Sequence, residues 1–272
     1  HTDVIRSLLH MMSLDNLIST LKRSHRVRGI FTTGSTATAP TPASDIDLVI
    51  VLDRNTEQIK ALYTTLENRF SDIFFFDRAF CERIRKQRRL SANGFDGMFL
   101  TWLISGRIMH DPDGLLTSLR EATKKKILYI HTEEKRDAWV RINYNFIANN
   151  RHASSAEAAY HAALELRLMY SVAELVTSYF TLRGIPWRGE KSAFAYFLKH
   201  DRPYLNLLMA IPRTVSLDKR MVIYRRMFSR TLHGPYRRWK KSFVIPIPLV
   251  SNHDSVNAGL IAFWERLSRR KE

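Results

Sequence analysis

Two kinds of hydrophobic spacing alternate in the first 110 residues of the chain. Apolar side chains recur every three or four positions over residues 3–24, which predicts an amphipathic helix. Short runs at 28–35, 45–53 and 72–77, the last of them strongly apolar, predict three strands. Residues 56–70 return to helical spacing, so we expect a helix between the second and third strands. The alternation indicates a small mixed sheet covered by helices.

The pattern changes after the sequence "HDPDG" at 110–114, where Pro and Gly predict a turn. Helical spacing dominates the rest of the chain, over residues 117–150, 154–183, 190–211, 217–232 and 255–270. A run of helices without intervening strands favours an all-α bundle. We therefore expect an α+β domain at 1–112, followed by a helical-bundle domain at 113–272.

Composition narrows the class of protein. The 272 residues are 45% apolar and 25% charged, which is typical of a folded globular protein. No apolar run approaches the roughly 20 residues that cross a bilayer, and the first residues lack a signal-peptide pattern, so we expect no membrane partner and a cytoplasmic location. The single cysteine, Cys81, excludes an internal disulfide and has no neighbours at zinc-ligand spacing.

The net charge of +17 is the strongest compositional signal. Most of the excess follows residue 110, where 28 of the 43 Lys and Arg residues lie. An excess of this size attracts phosphate-rich partners but does not identify one.

The predicted second strand carries two carboxylates one residue apart, in "SDIDLVIVL". Because side chains alternate along a strand, Asp45 and Asp47 project to one face, and Ile46 and Leu48 project to the other. Two adjacent carboxylates repel each other unless a cation lies between them. The alternative is that both carboxylates lie in water at the end of the strand.

Two further features favour a cation site. Gly34 and Ser35 follow the first strand, where a glycine turn, a hydroxyl and backbone N–H groups can bind phosphate oxygens. Asp77 ends the apolar run "IFFF" and could meet the aspartate pair from a neighbouring strand, giving three oxygen donors suited to Mg²⁺. Asp77 could instead be a surface residue that ends the strand and pairs with Arg78 or another basic residue.

The order of Gly-Ser, "SDIDLVIVL" and a later Asp resembles the nucleotidyltransferase superfamily related to DNA polymerase beta. The superfamily includes antibiotic nucleotidyltransferases, CCA-adding enzymes and poly(A) polymerases. The resemblance covers about the first 110 residues. It implies that Gly34 and Ser35 bind the triphosphate of a nucleoside triphosphate (NTP). It also implies that Asp45 and Asp47 ligate two Mg²⁺ ions, with Mn²⁺ as an alternative, and that Asp77 ligates the catalytic ion.

The helical region is similar to that of small-molecule nucleotidyltransferases, in which a Glu-x-Arg helix and a later lysine follow the catalytic domain. Glu165 and Glu174 are candidates for the general base that takes the acceptor proton. Lys191, after "WRGE", could neutralise the triphosphate or lie in solvent. The acidic residues could instead form ion pairs with Arg167, Lys191 or other basic residues.

A basic stretch at 219–241 suggests a different acceptor. Tyr236 and Trp239 lie among cations there, and aromatic side chains interleaved with cations can bind single-stranded RNA. The candidate RNA-binding cations are Arg225, Arg226, Arg237, Arg238, Lys240 and Lys241. The charges could also form only a solvated face.

Three functions remain open at this point. The chain could transfer a nucleoside monophosphate, with AMP as the first expectation, to a hydroxyl of a small molecule such as an antibiotic. It could transfer the same group to an RNA end, such as that of tRNA. It could also be a non-catalytic binding module of the antitoxin type. The intact aspartates Asp45, Asp47 and Asp77 favour a metal-dependent transferase.

Overall fold

The chain folds into two compact units. A computed structural model describes residues 13–38, 41, 44–56 and 58–240, apart from the side chains of Ser35 and Thr38. The first unit runs up to Lys135 and includes Gly184–Ala193. The second comprises Arg136–Arg183 and the described chain from Phe194 onward.

The limits of these units differ from the division expected at residue 112. Residues 113–135 and the returning segment 184–193 group with the first unit. The predicted helix at 255–270 and the first part of the helix predicted at 3–24 lie outside the described residues.

The first unit is built on seven described strands, β1 (Val27–Thr33), β2 (Ile46–Leu52), β3 (Ala61–Leu66), β4 (Arg69–Asp77), β5 (Arg89–Ser91), β6 (Arg107–His110) and β7 (Ile127–Tyr129). Five of them form one sheet in the order β3-β4-β2-β1-β6. β2 and β4 are parallel, whereas the other neighbouring pairs are antiparallel. β5 and β7 pair in parallel as a separate ladder. The expected mixed sheet with helices is therefore confirmed.

Helices cover both faces of the five-stranded sheet. The helices of this unit are α1 (Leu14–Lys22), α2 (Gly34–Thr38), α3 (Arg78–Lys86), α4 (Phe95–Ser105) and α5 (Leu115–Thr123). On one face, Ile46 and Leu48 of β2 form a core with Ile18 of α1. On the other, Val49 packs in a second core that includes Phe99 of α4. The alternation along β2 thus places its odd-numbered residues, Asp47 among them, on the side of the second core.

The helix predicted over residues 56–70 is wrong. β3 occupies Ala61–Leu66 and pairs antiparallel with β4 at the edge of the sheet. Glu67 and Asn68 join the two strands with φ angles of 53° and 59°. A two-residue turn with positive φ at both positions matches the twist of a β-hairpin, so the turn and the pairing outweigh the helical spacing.

The second unit is helical in its described part. The remaining helices are α6 (Thr132–Ala153), α7 (Ala158–Arg183), α8 (Gly189–His200), α9 (Arg202–Ala210) and α10 (Leu217–Thr231). The first of these begins in the first unit, as does α8. Among the described helices, none combines the length and the apolar character that a membrane span requires.

Two predicted long helices are interrupted. The region 117–150 is divided between α5 and α6 by β7. The region 190–211 breaks at Asp201, whose side chain accepts a hydrogen bond from the backbone N–H of Tyr204 and caps α9. Pro203 lies in the first turn of α9, where its missing N–H costs little.

Candidate functional site

The centre of the candidate site is Asp47, near the start of β2. Its neighbours across the sheet are Thr33 of β1 and Asp72 of β4. The parallel register of β2 and β4 brings Asp47 and Asp72 side by side, although 25 residues separate them in the chain. Asp45 immediately precedes β2 and is exposed. Three carboxylates therefore lie together at the N-terminal ends of two neighbouring interior strands.

The turn after β1 packs directly against this centre. Gly34 has φ of 59°, and a Cβ atom at that position would lie only 2.2 Å from Oδ2 of Asp47. Thr36 fixes the same turn to β2, because its Oγ1 donates to the carbonyl of Asp45 (2.9 Å) and accepts from the N–H of Asp47 (3.2 Å). Only glycine fits between the turn and the carboxylate, both in backbone conformation and in space.

Burial and like charge raise the pKa of two of the carboxyl groups. The pKa of Asp47 rises from 3.8 to about 6, first because of burial and then because of the charges on Asp72 and Asp45. The cation of Lys191 acts in the opposite direction. The pKa of Asp72 is also raised, by burial and by Asp45. The site therefore holds more negative charge at neutral pH than its own surroundings balance.

The chemistry of the donors fits a divalent cation. Within the described chain, Oδ1 of Asp72 is buried and has no hydrogen-bond partner. Oxygen donors that repel one another and lack hydrogen bonds are suited to a hard cation such as Mg²⁺. Over the described residues, no three His, Cys, Asp or Glu side chains form a ready-made metal site. Mg²⁺ needs only one or two carboxylates when substrate phosphates or waters supply the other ligands.

The segment that leads from the Gly34 turn into β2 is anchored by Arg69. Its Nε donates to the carbonyl of Ser44 (2.7 Å), and its Nη2 donates to the carbonyl of Asp45 (3.2 Å). The arginine lies at the start of β4 and so joins the entries of the two aspartate-bearing strands. The side chain of Ser35, the second predicted phosphate-binding residue, and most of the spacer between Thr38 and Ser44 lie outside the described residues.

The structure does not bring Asp77 to this site. Asp77 ends β4 opposite Leu52, five residues beyond Asp72, which corresponds to about 16 Å along a strand. The odd spacing also points it to the other face of the sheet. Its Oδ1 accepts from the N–H of Phe80 at 2.8 Å and caps α3. Asp77 therefore caps a helix. Asp72 lies beside Asp47, where the sequence led us to expect Asp77.

Sequence reasoning missed Asp72, although it begins the same apolar strand that Asp77 ends. The missing information was the register of β4 against β2, which is set by the whole sheet. The signal in the chain is the alternation of Asp72 with Phe74 and Phe76, which places the carboxylate on the face of the second core.

Lys191 and the two glutamates have different environments. Lys191 is exposed on α8, in the part that groups with the first unit, and its charge lowers the pKa of Asp47. Glu165 lies in the second unit and accepts a hydrogen bond from Nη2 of Arg220 at 2.6 Å. Glu174 likewise pairs with Nε of Arg141 at 2.6 Å. The predicted general base is thus engaged in an ion pair, which agrees with the alternative that the sequence left open.

The aromatic residues of the basic stretch pack within the second unit. The rings of Tyr236 and Trp239 lie 6.3 Å and 5.9 Å from that of Trp139 on α6. The backbone N–H of Trp239 donates to Oδ1 of Asn143 (2.9 Å), which fixes the segment to the same helix. Both rings are half-buried, so they are not presented as open stacking platforms.

The cations of the basic stretch are mostly exposed. Arg225 donates to Asn150 on α6, and the guanidinium of Arg238 lies 4.9 Å from the ring centre of Phe146. Arg226, Arg237 and Lys240 are exposed as well. Lys241 lies outside the described residues.

Comparison with known proteins finds a related domain in the first unit. Residues 14–93 match the family described as nucleotidyltransferase domain, and this match confirms the superfamily resemblance. A search of curated proteins finds no match. A crystal structure of a nucleotidyltransferase-like protein from Exiguobacterium sibiricum 255-15 is similar with a TM-score of 0.43 and 10% sequence identity, over 80% of this chain and 73% of that one. Such a distant similarity carries no inference about function.

Proposed function

We propose that the chain is a divalent-metal-dependent nucleotidyltransferase that moves a nucleoside monophosphate from an NTP to an acceptor hydroxyl. The observation that carries the proposal is the group formed by Asp45, Asp47 and Asp72 beside the Gly34 turn. The family match over residues 14–93 supports nucleotidyl transfer as the class of reaction.

The residues of the site would have separate tasks in this reaction. Asp47 and Asp72, with Asp45, would hold the cation, and the close-fitting Gly34 turn would let backbone N–H groups approach the triphosphate. Lys191 would add positive charge next to the phosphates. A bound Mg²⁺ ion supplies Lewis-acid polarisation of the phosphate and neutralises charge on the leaving group.

Transfer then requires an exchange of bonds at the α-phosphorus. The acceptor oxygen forms a bond to phosphorus, the bond to the bridging oxygen of the β-phosphate breaks, and pyrophosphate leaves with that electron pair. The hydroxyl proton passes to solvent water. The carboxylate of Asp45 is exposed to the same water. Charge builds up on pyrophosphate, so the positive groups around it lower the barrier.

A labelled-transfer assay with two matched aspartate variants tests the proposal. The protein is incubated with Mg²⁺, with each α-labelled NTP in turn, beginning with ATP, and with either total tRNA or a panel of aminoglycosides and lincosamides. We expect Asp72→Asn to lower transfer at least 100-fold, since it removes a charged oxygen donor. Asp77→Asn should leave transfer near the wild-type rate, because Asn is as good a helix cap as Asp.

The acceptor that becomes labelled decides between a small molecule and an RNA end. Transfer that survives Asp72→Asn but is lost in Asp77→Asn would contradict the assignment of the third carboxylate. NTP binding by the wild type without label on any acceptor would favour a binding module of the antitoxin type over an enzyme.

A further inference from the structure

The first unit has a strongly basic cleft that shares no residue with the carboxylate site. The cleft has a volume of about 940 Å³ and lies between the end of α3 and the end of α5. Its basic lining residues are Arg85, Lys86, Arg88, Lys124, Lys125 and Lys126. Glu121 is the one acidic residue among the nine that line it, and it pairs with Lys124. The cleft therefore carries a large uncompensated positive charge.

Lys126 has a structural role that holds the two sides of the cleft together. Its Nζ donates to the carbonyls of Ile84 (2.8 Å), Arg85 (2.9 Å) and Gln87 (2.6 Å) at the end of α3. Burial lowers the pKa of this amine, which is consistent with its partial enclosure. Because the amine satisfies the carbonyls that end α3, it fixes the turn after α5 against the turn after α3.

The other five cations are exposed at the rim. Apart from the pair that Lys124 makes, the contacts described for the chain give these five side chains no acidic partner. Five like charges at one cleft repel one another and lower the stability of the free protein. Such a cluster is stabilised when an anion with several charges binds along it.

We propose that this cleft binds the phosphodiester backbone of single-stranded RNA. Arg85 and Arg88 can each offer a guanidinium fork to a phosphate, and Lys86 and Lys125 add mobile point charges. The nine lining residues include no aromatic side chain, so the contacts would be to phosphates and independent of base sequence.

The chemistry of the lining favours a nucleic acid over an acidic protein segment. Ala122 is the one apolar residue among the nine, whereas protein interfaces depend on apolar and aromatic anchors at their centres. Interfaces with nucleic acids are polar and strongly positive, as this cleft is. The proposal concerns binding alone and does not rest on the transferase activity of the carboxylate site.

Fluorescence anisotropy with a labelled 20-nucleotide oligouridine tests the cleft, in buffer without NTP or divalent metal. The cleft variant combines Lys86→Gln, Arg88→Gln and Lys125→Gln. The matched control combines Lys22→Gln, Arg23→Gln and Arg54→Gln, which removes three exposed charges from elsewhere in the first unit. Thermal unfolding of both variants checks that the fold is retained.

The logarithm of the association constant falls linearly with the logarithm of the salt concentration. We expect the slope of this line to be smaller in magnitude by about 2 in the cleft variant, because three phosphate contacts are lost at about 0.7 each. The same contacts correspond to about 100-fold weaker binding at 0.1 M salt. The control should keep the slope of the wild type.

Three results would overturn the proposal. The first is a cleft variant that has the slope and affinity of the control. The second is a wild-type protein that does not bind the oligonucleotide. The third is equally tight binding of a 20-residue polyglutamate, which would assign the cleft to acidic peptides instead.

Discussion

Neutralising Asp47 should stabilise the metal-free protein at neutral pH. The carboxylate is partly buried beside Asp72 and Asp45, and its pKa is raised from 3.8 to about 6. At neutral pH the native state must therefore hold a charge that burial and its neighbours disfavour. Asp47→Asn keeps the shape and removes that charge.

The size of the effect follows from the pKa. The difference between the ordinary pKa of 3.8 and the native pKa of about 6 corresponds to a destabilisation of the native state by at most about 3 kcal/mol. Water reaches part of the side chain and screens its charge, so we expect about 1–2 kcal/mol. The raised native pKa means that the native state binds more protons than the unfolded state between about pH 4 and pH 6. Wild-type stability should fall as the pH rises through this window, and the gain from Asp47→Asn should appear above it and vanish near pH 4.

Urea unfolding at pH 4 and pH 7.5, with and without 10 mM Mg²⁺, measures both effects. We expect Mg²⁺ to stabilise the wild type at pH 7.5 and to have little effect on Asp47→Asn. Asp53→Asn is the control, because Asp53 accepts a hydrogen bond from Nε of Arg28 at 3.0 Å and its loss should slightly destabilise the protein. Equal destabilisation by Asp47→Asn at both pH values would refute the account of a repulsive carboxylate centre.

Two further predictions concern the turn and the predicted base. Gly34→Ala should abolish transfer, because the new Cβ would displace the carboxylate of Asp47. Gly114→Ala is the control, since Gly114 has a similar φ of 67° but no atom within 4 Å of a new Cβ. It should lower the free energy of unfolding by only about 1 kcal/mol and leave transfer intact. Unfolding and transfer assays on both variants separate the two effects, and active Gly34→Ala enzyme would contradict the close fit. Glu165→Gln removes a partly exposed ion pair with Arg220, so it should lower stability by less than about 1 kcal/mol and should not change kcat. A large loss of kcat at constant stability would instead identify Glu165 as the general base.

Three of the seven described strands, β1, β2 and β4, could be predicted from short runs in the sequence. β2 is buried on both faces, so its apolar side chains appear as a continuous run in the sequence. β3 could not be predicted in this way, since it is an edge strand with exposed Tyr63. The extended conformation of β3 depends on the turn at Glu67 and Asn68 and on pairing with β4.

The division of the helices was less accessible to sequence. The break at Asp201 is visible as an aspartate followed by Arg-Pro, which is an ordinary start of a helix. The interruption by β7 has no comparable local signal, because its three residues become a strand through pairing with β5, about 38 residues earlier in the chain. The spacing of apolar residues predicts the local conformation of a segment. Whether a short segment such as β7 becomes a strand depends on the strand that the fold places next to it.

The sequence by itself indicated the resemblance to nucleotidyltransferases and singled out two of the three carboxylates that lie together in the first unit. Asp45, Asp47 and Gly34 are close in the chain, so one strand and one turn suffice to place them. The third carboxylate required the tertiary structure, because the parallel register of β2 and β4 selects Asp72 and leaves Asp77 at the other end of the strand as a helix cap. The basic cleft likewise depends on Lys126 joining the ends of α3 and α5, which lie about 40 residues apart in sequence.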